Sequence, residues 1–334
     1  MTGTQRWLYS VWYDNGAGGW ILRPLEWLFR SIVAIRRMLY RQGIFTTQHL
    51  DVPVVVVGNL AVGGGGKTPL VGWLVSELRD RGCRVAIVSR GYGGEEPARP
   101  LRVGDDVTAA RSGDEAKMLA ESTGAPVFVC RDRVAAARAA QEDGAELIVA
   151  DDGLQHYRLG RAMEIVVIDA ARGQGNTRCL PAGPLREPMS RLSDVDLIVG
   201  SGGEIPGVSE ISYSLTIQTA VNGESGVERD LETFSGQHVH AVAGIAHPTR
   251  FVDALERFGI RVNLIPVGDH QVLERAELNP SDELDVLMTE KDAVKYQSLE
   301  QRHWIVPARV VFAETKGHAL VNRLLSLTTE VPVA

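Results

Sequence analysis

From residue 20 to residue 41 the apolar side chains Ile21, Leu22, Leu25, Leu28, Phe29, Ile32, Ile35 and Leu39 return every three or four positions, with Arg23, Arg30, Arg37 and Arg41 largely off the stripe. That period predicts one or two amphipathic helices, and Pro24 is tolerable in a first turn. The pattern then changes. PVVVV (53–57) is a short β-branched run ending in a glycine-rich stretch, as a buried parallel strand does. Similar runs recur at 84–88, 126–130, 146–150, 164–168 and 195–199, with helical stretches at 67–80, 114–122 and 131–142. Strands alternating with helices predict an α/β fold, a mostly parallel doubly wound sheet whose helix N-termini gather at the strand-end edge.

Residues 200–236 are rich in Gly, Ser, Thr and Glu, and a second α/β pattern follows. It has apolar runs at 238–245, 260–265, 284–288 and 308–312 and helical stretches near 248–257 and 317–327. The expected division is an amphipathic N-terminal segment (1–48), a main core (49–205) and a smaller C-terminal α/β unit (206–334) closing over it.

The composition adds limits. Apolar residues at 44% and charged residues at 23% suit a soluble globular protein and exclude long disorder. A net charge of −7 excludes a nucleic-acid coat, so no nucleic-acid partner is expected. The charge is unevenly placed: residues 1–50 carry a net +4 and four of the six Trp, leaving −11 for the remainder. Cys83, Cys130 and Cys179 show no CxxC spacing and imply neither a disulfide framework nor a zinc site. With no signal-peptide pattern and no unbroken run of about 18 apolar residues, a reducing cytoplasm is the expected compartment.

Chemistry enters at AVGGGGKT (61–68), directly after one predicted strand and directly before a helix. Glycines there let backbone N–H groups turn inward around phosphate oxygens, and the helix N-terminus adds a favourable field. Ala61, Val62, Gly63, Gly64, Gly65 and Gly66 would cradle the phosphates of ATP, Lys67 would reach the terminal ones, and the Thr68 hydroxyl would bind Mg²⁺. In ELIVADD, Asp151 and Asp152 stand at the end of an apolar run, where a Walker B carboxylate belongs. The fold expected is therefore of P-loop NTPase type.

Beyond this loop, SRGYGG (89–94), GDEA (113–116), DDGLQHYRL (151–159), LPAGPLREP (180–188), VAGIAHPTRF (242–251), GDH (268–270) and MTEKDAVK (288–295) follow in order. Together with VGNLAVGGGGKTP (57–69), this set resembles the tetraacyldisaccharide 4′-kinase (lipid A 4′-kinase) family. The resemblance implies a membrane-associated kinase, peripheral on the cytoplasmic face of the bacterial inner membrane. It would move the ATP γ-phosphate to the 4′-hydroxyl of tetraacyldisaccharide 1-phosphate, giving lipid IVA. It implies that Asp114 is the catalytic acid-base group, working with His270, and that Asp151 and Asp152 are the Walker B acids. Glu115 and Glu187 match acids placed around the metal or substrate, so the candidate metal set is Thr68, Asp151, Glu187 and Glu115, and the candidate catalytic set is Asp114, His270, Lys67 and Asp152. Arg186 is a candidate phosphate contact, Gln155 and His156 follow the acids closely enough to line the cleft, and Lys291 is a candidate for the cleft between the two units.

The chain departs from the family pattern at Ala116 (usually Pro), Gly65 (usually Thr or Ser), Ala246–His247 (usually Gly-Asn) and Gln271 (usually His). The basic, Trp-rich residues 1–45 fit a helix on an anionic membrane surface, with Arg toward lipid or substrate phosphate. Two other classes share the loop: a soluble P-loop kinase or ligase of a small metabolite, and a non-catalytic nucleotide switch recruited to the membrane. A switch needs no base, so Asp114 and His270 argue against it. None of these motifs encodes an oligomeric state.

Overall fold

The computed structural model describes residues 3–14, 16–313 and 315–329. The chain begins with helices α1 (Gly3–Tyr13) and α2 (Arg23–Arg41), then β1 (Val54–Gly58), α3 (Lys67–Asp80), β2 (Val85–Ser89) and β3 (Leu101–Arg102). Next come α4 (Ala109–Ser112), α5 (Asp114–Thr123), β4 (Val127–Val129), α6 (Arg133–Glu142), β5 (Leu147–Asp151), β6 (Met163–Asp169) and β7 (Leu197–Ser201). The C-terminal part runs β8 (Ile211–Thr216), β9 (Thr219–Asn222), β10 (Glu228–Asp230), β11 (His238–Val242), α7 (Pro248–Glu256) and β12 (Arg261–Ile265). It ends with α8 (Arg275–Leu278), β13 (Val286–Thr289), α9 (Glu290–Ala293), β14 (His303–Val306), β15 (Arg309–Phe312) and α10 (Lys316–Thr329).

The strands form a nine-stranded sheet in the order β15-β8-β7-β6-β1-β5-β2-β4-β3 and a six-stranded sheet in the order β10-β9-β14-β13-β11-β12. From β8 to β4 every pairing of the larger sheet is parallel, and its edge strands β15 and β3 are antiparallel. Alternation splits its core. Val55, Val57, Ile87 and Val149 face Leu70, Leu74 and Leu78 of α3, whereas Val54, Val56, Ile148 and Ala150 face Val134, Ala137 and Ala140 of α6. Each of these buried aliphatic side chains contributes roughly 1.5–3 kcal/mol, except the smaller alanines. Helices on both faces explain why the central strands read as unbroken apolar runs.

The register sets the active edge. Val57 of β1 stands opposite Asp151 of β5, so the loop leaving β1 emerges beside the two acids that end β5.

The expected boundary at 205/206 differs from the sheet organisation. β8 pairs in parallel with β7, and β15 returns to pair with β8, so residues 211–216 and 309–312 complete the larger sheet. α10 follows them there, packing Leu320, Val321 and Leu324 into the same core, while Trp73 of α3 stacks on Phe312 at 4.6 Å. The apolar run at 308–312 marks a strand but not its partner, so the sequence alone does not join it to the larger sheet. The second sheet occupies residues 219–306 and joins the first through two adjacent crossings, after β8 and before β15.

α2 is docked the unusual way round. Its stripe residues Leu25, Leu28, Ile32 and Ile35 are all more than half exposed, as are Trp27 and, in the turn before it, Trp20 and Ile21, whereas Glu26 is buried at 2%. Glu26, paired with Arg23 of the same helix, accepts from the Cys179 backbone N–H, Arg37 and Arg41 both pair with Asp194, and Phe29 packs against the core. Two of the arginines expected to face lipid or substrate are thus committed to the protein itself. No helix among the described residues is long and apolar enough to cross a membrane. The three cysteines are free and buried.

Candidate active site

The loop 61–66 ends in Gly66, whose φ of 83° turns the chain into α3 at Lys67. Three glycines are sterically required. A Cβ at residue 65 would overlap the Asn59 side-chain amide, and one at residue 66 would overlap Ser201 Oγ and the Tyr213 hydroxyl. At Gly63, with φ 97°, a Cβ would lie 2.7 Å from Arg172 Nη1. Asn59 is itself fixed, its Nδ2 donating to Val167 O at 2.8 Å, and Tyr213 donates its hydroxyl proton to Gly66 O. Asn59 thus fills the space that a side chain at residue 65 would take.

Lys67 and Thr68, both buried, are the first residues of α3. Thr68 Oγ1 lies 3.5 Å from Asp151 Oδ2, and Lys67 Nζ lies 3.8 Å from Asp152 Oδ1. The two neighbouring acids have opposite electrostatics. Burial pushes Asp151 up to about 7, overcoming Lys67, with the negative charges of Glu115 and Asp152 adding to the rise. Asp152 feels the same burial, but Lys67 and the Arg186 guanidinium outweigh it and hold the carboxyl down at about 2. Arg186 grips Asp152 with two bonds of 2.9 and 3.0 Å and donates also to Asn59 O. An acid held that low takes no proton at neutral pH, so beside Lys67 it stands as a fixed negative charge and a poor base.

The metal question rests on Asp151. Its Oδ1 is buried without a hydrogen-bond partner, and the donors beside it are a hydroxyl and carboxylate oxygens. That set suits Mg²⁺, which prefers hard oxygen ligands, keeps several waters and takes one or two carboxylates with substrate phosphates. No cluster of three or more His, Cys, Asp or Glu that could hold a metal occurs among the described residues.

The two glutamates expected near the metal differ: Glu187 is committed elsewhere, whereas Glu115 stays close enough for its charge to raise Asp151. Glu187 is 1% exposed, and its oxygens take the Gln155 amide, the Tyr157 hydroxyl and Arg191. Fully engaged, it ties the 155–157 turn to Arg191 and is not a free ligand. Glu115 lies 3.4 Å from Lys291 Nζ, which also binds Asp269 at 2.8 Å. Lys291, Glu115 and Asp269 thus close the cleft between the two sheets.

Asp114 opens α5 and is 4% exposed. His270, from the loop after β12, donates Nδ1–H to Asp114 Oδ2 at 3.0 Å. His270 has a φ of 59°, a left-handed conformation uncommon outside glycine, as does Asp152 at 51°. Such local strain persists only where surrounding contacts hold it. Gly93, with φ 82°, makes room for the imidazole, because a Cβ there would collide with the ring, and Tyr92 meets the ring edge-on at 5.3 Å. Loop SRGYGG is therefore shaped around His270.

Asn59 and Tyr213 were not singled out beforehand. Asn59 lies inside the block at 57–69, whereas Tyr213 falls in a Ser/Thr-rich stretch that reads as a linker. A second latch between the sheets, Arg250 on Asp169 at 2.9 and 3.2 Å, was also missed. The cleft beside the P-loop, lined by Asn59, the loop 61–65 and Arg172, is nearly closed at about 10 Å³. Another concavity, of about 720 Å³, lies between the C-terminal ends of α3 and α6 and is lined by Arg79, Arg84, Arg102 and Asp143, away from every group above.

This geometry has close relatives. The family model for tetraacyldisaccharide-1-P 4′-kinase (LpxK) matches residues 19–326. The tetraacyldisaccharide 4′-kinase of Ectopseudomonas mendocina (strain ymp) is 46% identical over 299 residues, covering 89% of this chain and 90% of that protein. That of Methylobacillus flagellatus is 46% identical over 326 residues, covering 96% and 97%. Among solved structures, an "apo" form of LpxK from Aquifex aeolicus in complex with ATP superposes with a TM-score of 0.78 at 27% identity, covering 93% of this chain and 99% of that one. A P-loop, a buried acid beside Thr68 and an Asp–His pair at one sheet edge thus come with a match over nearly the whole chain, and the chain belongs to the tetraacyldisaccharide-1-P 4′-kinase family.

Proposed function

We propose that the chain transfers the γ-phosphate of ATP to the 4′-hydroxyl of tetraacyldisaccharide 1-phosphate, forming lipid IVA for lipid A synthesis. It does so as a peripheral protein on the cytoplasmic face of the inner membrane. The observation that carries the reading is Asp114, buried and held by His270 at the strand-end edge that also bears Lys67 and Thr68.

The backbone N–H groups of the loop 61–66 hold the phosphates, and Lys67, steered by Asp152, spreads the charge of the transferring phosphoryl group. Asp114 takes the proton of the attacking hydroxyl, and His270 fixes the carboxylate that receives it. Thr68 and Asp151 would hold Mg²⁺, which when bound neutralises phosphate charge. The smaller unit contributes His270, Lys291 and Arg250, so its closure on the core completes the site and excludes water that would otherwise compete with the sugar hydroxyl.

A lipid acceptor gives the outward apolar face of α2 a role, which a soluble metabolite would not. Trp20, Trp27, Leu28 and Ile32 point away from the core, as insertion among lipid headgroups requires. The test is transfer of labelled γ-phosphate to tetraacyldisaccharide 1-phosphate in mixed micelles. Transfer by the native chain and its loss in both Lys67→Ala and Asp114→Ala support the reading; full transfer by the double variant would refute it.

A further inference from the structure

Asp114 has a second cationic neighbour. Lys295, just beyond α9, is buried to 2% of its side chain, and its Nζ lies 3.7 Å from Asp114 Oδ2, the same oxygen that accepts from His270. The ammonium is held from its own side by Asp292 Oδ1 at 2.8 Å and by Gln271 O at 3.2 Å. Asp292, 1% exposed, is fixed in turn by the Gly244 N–H at 2.8 Å and the Thr289 hydroxyl at 2.6 Å. A chain of charge-assisted contacts therefore runs from the core of the second sheet to one oxygen of a carboxylate on the first.

Resting on the reading of Asp114 as the base, we propose that Lys295 is a positioning residue for the phosphoryl transfer. With His270 it pins Oδ2 of Asp114 from the second sheet, so that Oδ1 is the oxygen presented to the acceptor hydroxyl. Three features support this. A buried ammonium is retained only where carboxylates and carbonyls compensate it, and here one of the compensating groups is the reacting acid. Lys295 comes from the smaller unit, so the pin forms only when the two sheets are together. Gln271 supplies a backbone carbonyl to Nζ while its side chain accepts from the Gly268 N–H, so the tether does not draw on the side chain at this position.

The experiment uses the full chain in mixed micelles with ATP and tetraacyldisaccharide 1-phosphate. Lys295→Ala should lower kcat by about 10- to 100-fold, the range seen when a supporting partner is removed from a reacting group, with the KM for ATP within about threefold. Ethylammonium added to Lys295→Ala should restore part of kcat, because it returns a cation to the cavity. Asp292→Asn, which loosens the tether but keeps the lysine, should also lower kcat, and Lys295→Ala/Asp292→Asn should lose no more than Lys295→Ala alone. A kcat for Lys295→Ala within threefold of native, a loss carried wholly by KM, or no rescue by ethylammonium would overturn the proposal. If Lys295→Ala fails to fold, Asp292→Asn decides: native kcat in that variant refutes the pin. Asp114→Asn separates the two layers, since full activity there sinks the base itself, whereas an inactive Asp114→Asn beside a fully active Lys295→Ala sinks only the role of the lysine.

Discussion

Asp114 and His270 are 156 positions apart in sequence and belong to different sheets, yet Nδ1 of one lies 3.0 Å from Oδ2 of the other. The base is therefore assembled by docking. Removing His270 should leave Asp114 in place with Lys295 as its remaining cationic support, so His270→Ala is expected to cost about 10²-fold in kcat, and Asp114→Ala, which deletes the acceptor of the proton, up to about 10⁴-fold. ATP affinity, set by the P-loop, should stay near native in both. Single-turnover transfer together with equilibrium ATP binding checks this; a parallel loss of ATP binding would place the pair in the nucleotide site instead.

The glycine loop yields a second prediction. Gly65→Ala should displace the Asn59 amide, breaking its bond to Val167 O and leaving a buried polar group unpaired, at a cost of about 1–3 kcal/mol. Asn59→Ala/Gly65→Ala should be more stable than Gly65→Ala, because the space is vacated. Urea midpoints of the four proteins measure the coupling. Additive losses would show that residue 65 and Asn59 do not compete for the same volume.

The strand alternation, the P-loop and its acids were legible because each depends on neighbours in sequence: β-branched runs, glycines before a helix, acids at a strand end. The Asp114–His270 pair became visible only through the ordered motif set, since nothing local joins residue 114 to residue 270. Partners across distance were the blind spot. The run 308–312 announces a strand, but the choice of β8 as its neighbour is made by the tertiary fold. Glu187 sits between a Pro-rich turn and Arg191 and looks available as a ligand, while in the structure Tyr157 and Gln155 have already taken its oxygens. Lys291 and Lys295 stand four apart in MTEKDAVK, a spacing that suggests one face of a helix; α9 is a single turn, and the two lysines instead reach different acids of α5.

His156 gives a pH prediction. Burial, reinforced by the nearby Arg133 charge, lowers its imidazole from the usual 6.5 to about 4. Between those values the unfolded chain binds a proton that the folded chain refuses, so folding stability falls as pH drops below 6.5 and this loss is complete near 4. The loss is at most about 3 kcal/mol. Above 6.5 the group is neutral in both states and contributes no slope. His156→Gln should therefore flatten the acid side of the stability curve relative to native, as read from denaturant midpoints at pH 7.5, 5.5 and 4.5. Parallel curves for the two proteins would show that His156 titrates normally.

The docking of α2 makes the last prediction specific to one kind of membrane binding. A basic helix that binds chiefly through charge is released by salt, because screening shortens the reach of each lysine or arginine. Here Arg37 and Arg41 are both taken by Asp194 and Arg23 by Glu26, while Trp27, Leu28 and Ile32 stand more than half exposed on the opposite face. Apolar insertion should dominate. Flotation of the full chain with vesicles of mixed zwitterionic and anionic lipid should therefore persist when salt is raised from about 0.1 M to about 1 M, a change that cuts the Debye length from about 10 to about 3 Å. Leu28→Glu/Ile32→Glu should abolish flotation and leave ATP binding unaltered, because neither side chain touches the core. Asp194→Asn should do the reverse of what charge binding requires: by freeing two arginines it should add a salt-sensitive component to the binding. Complete release of the native chain by salt, or flotation of Leu28→Glu/Ile32→Glu at native level, would mean that the outward apolar face is not what meets the lipid.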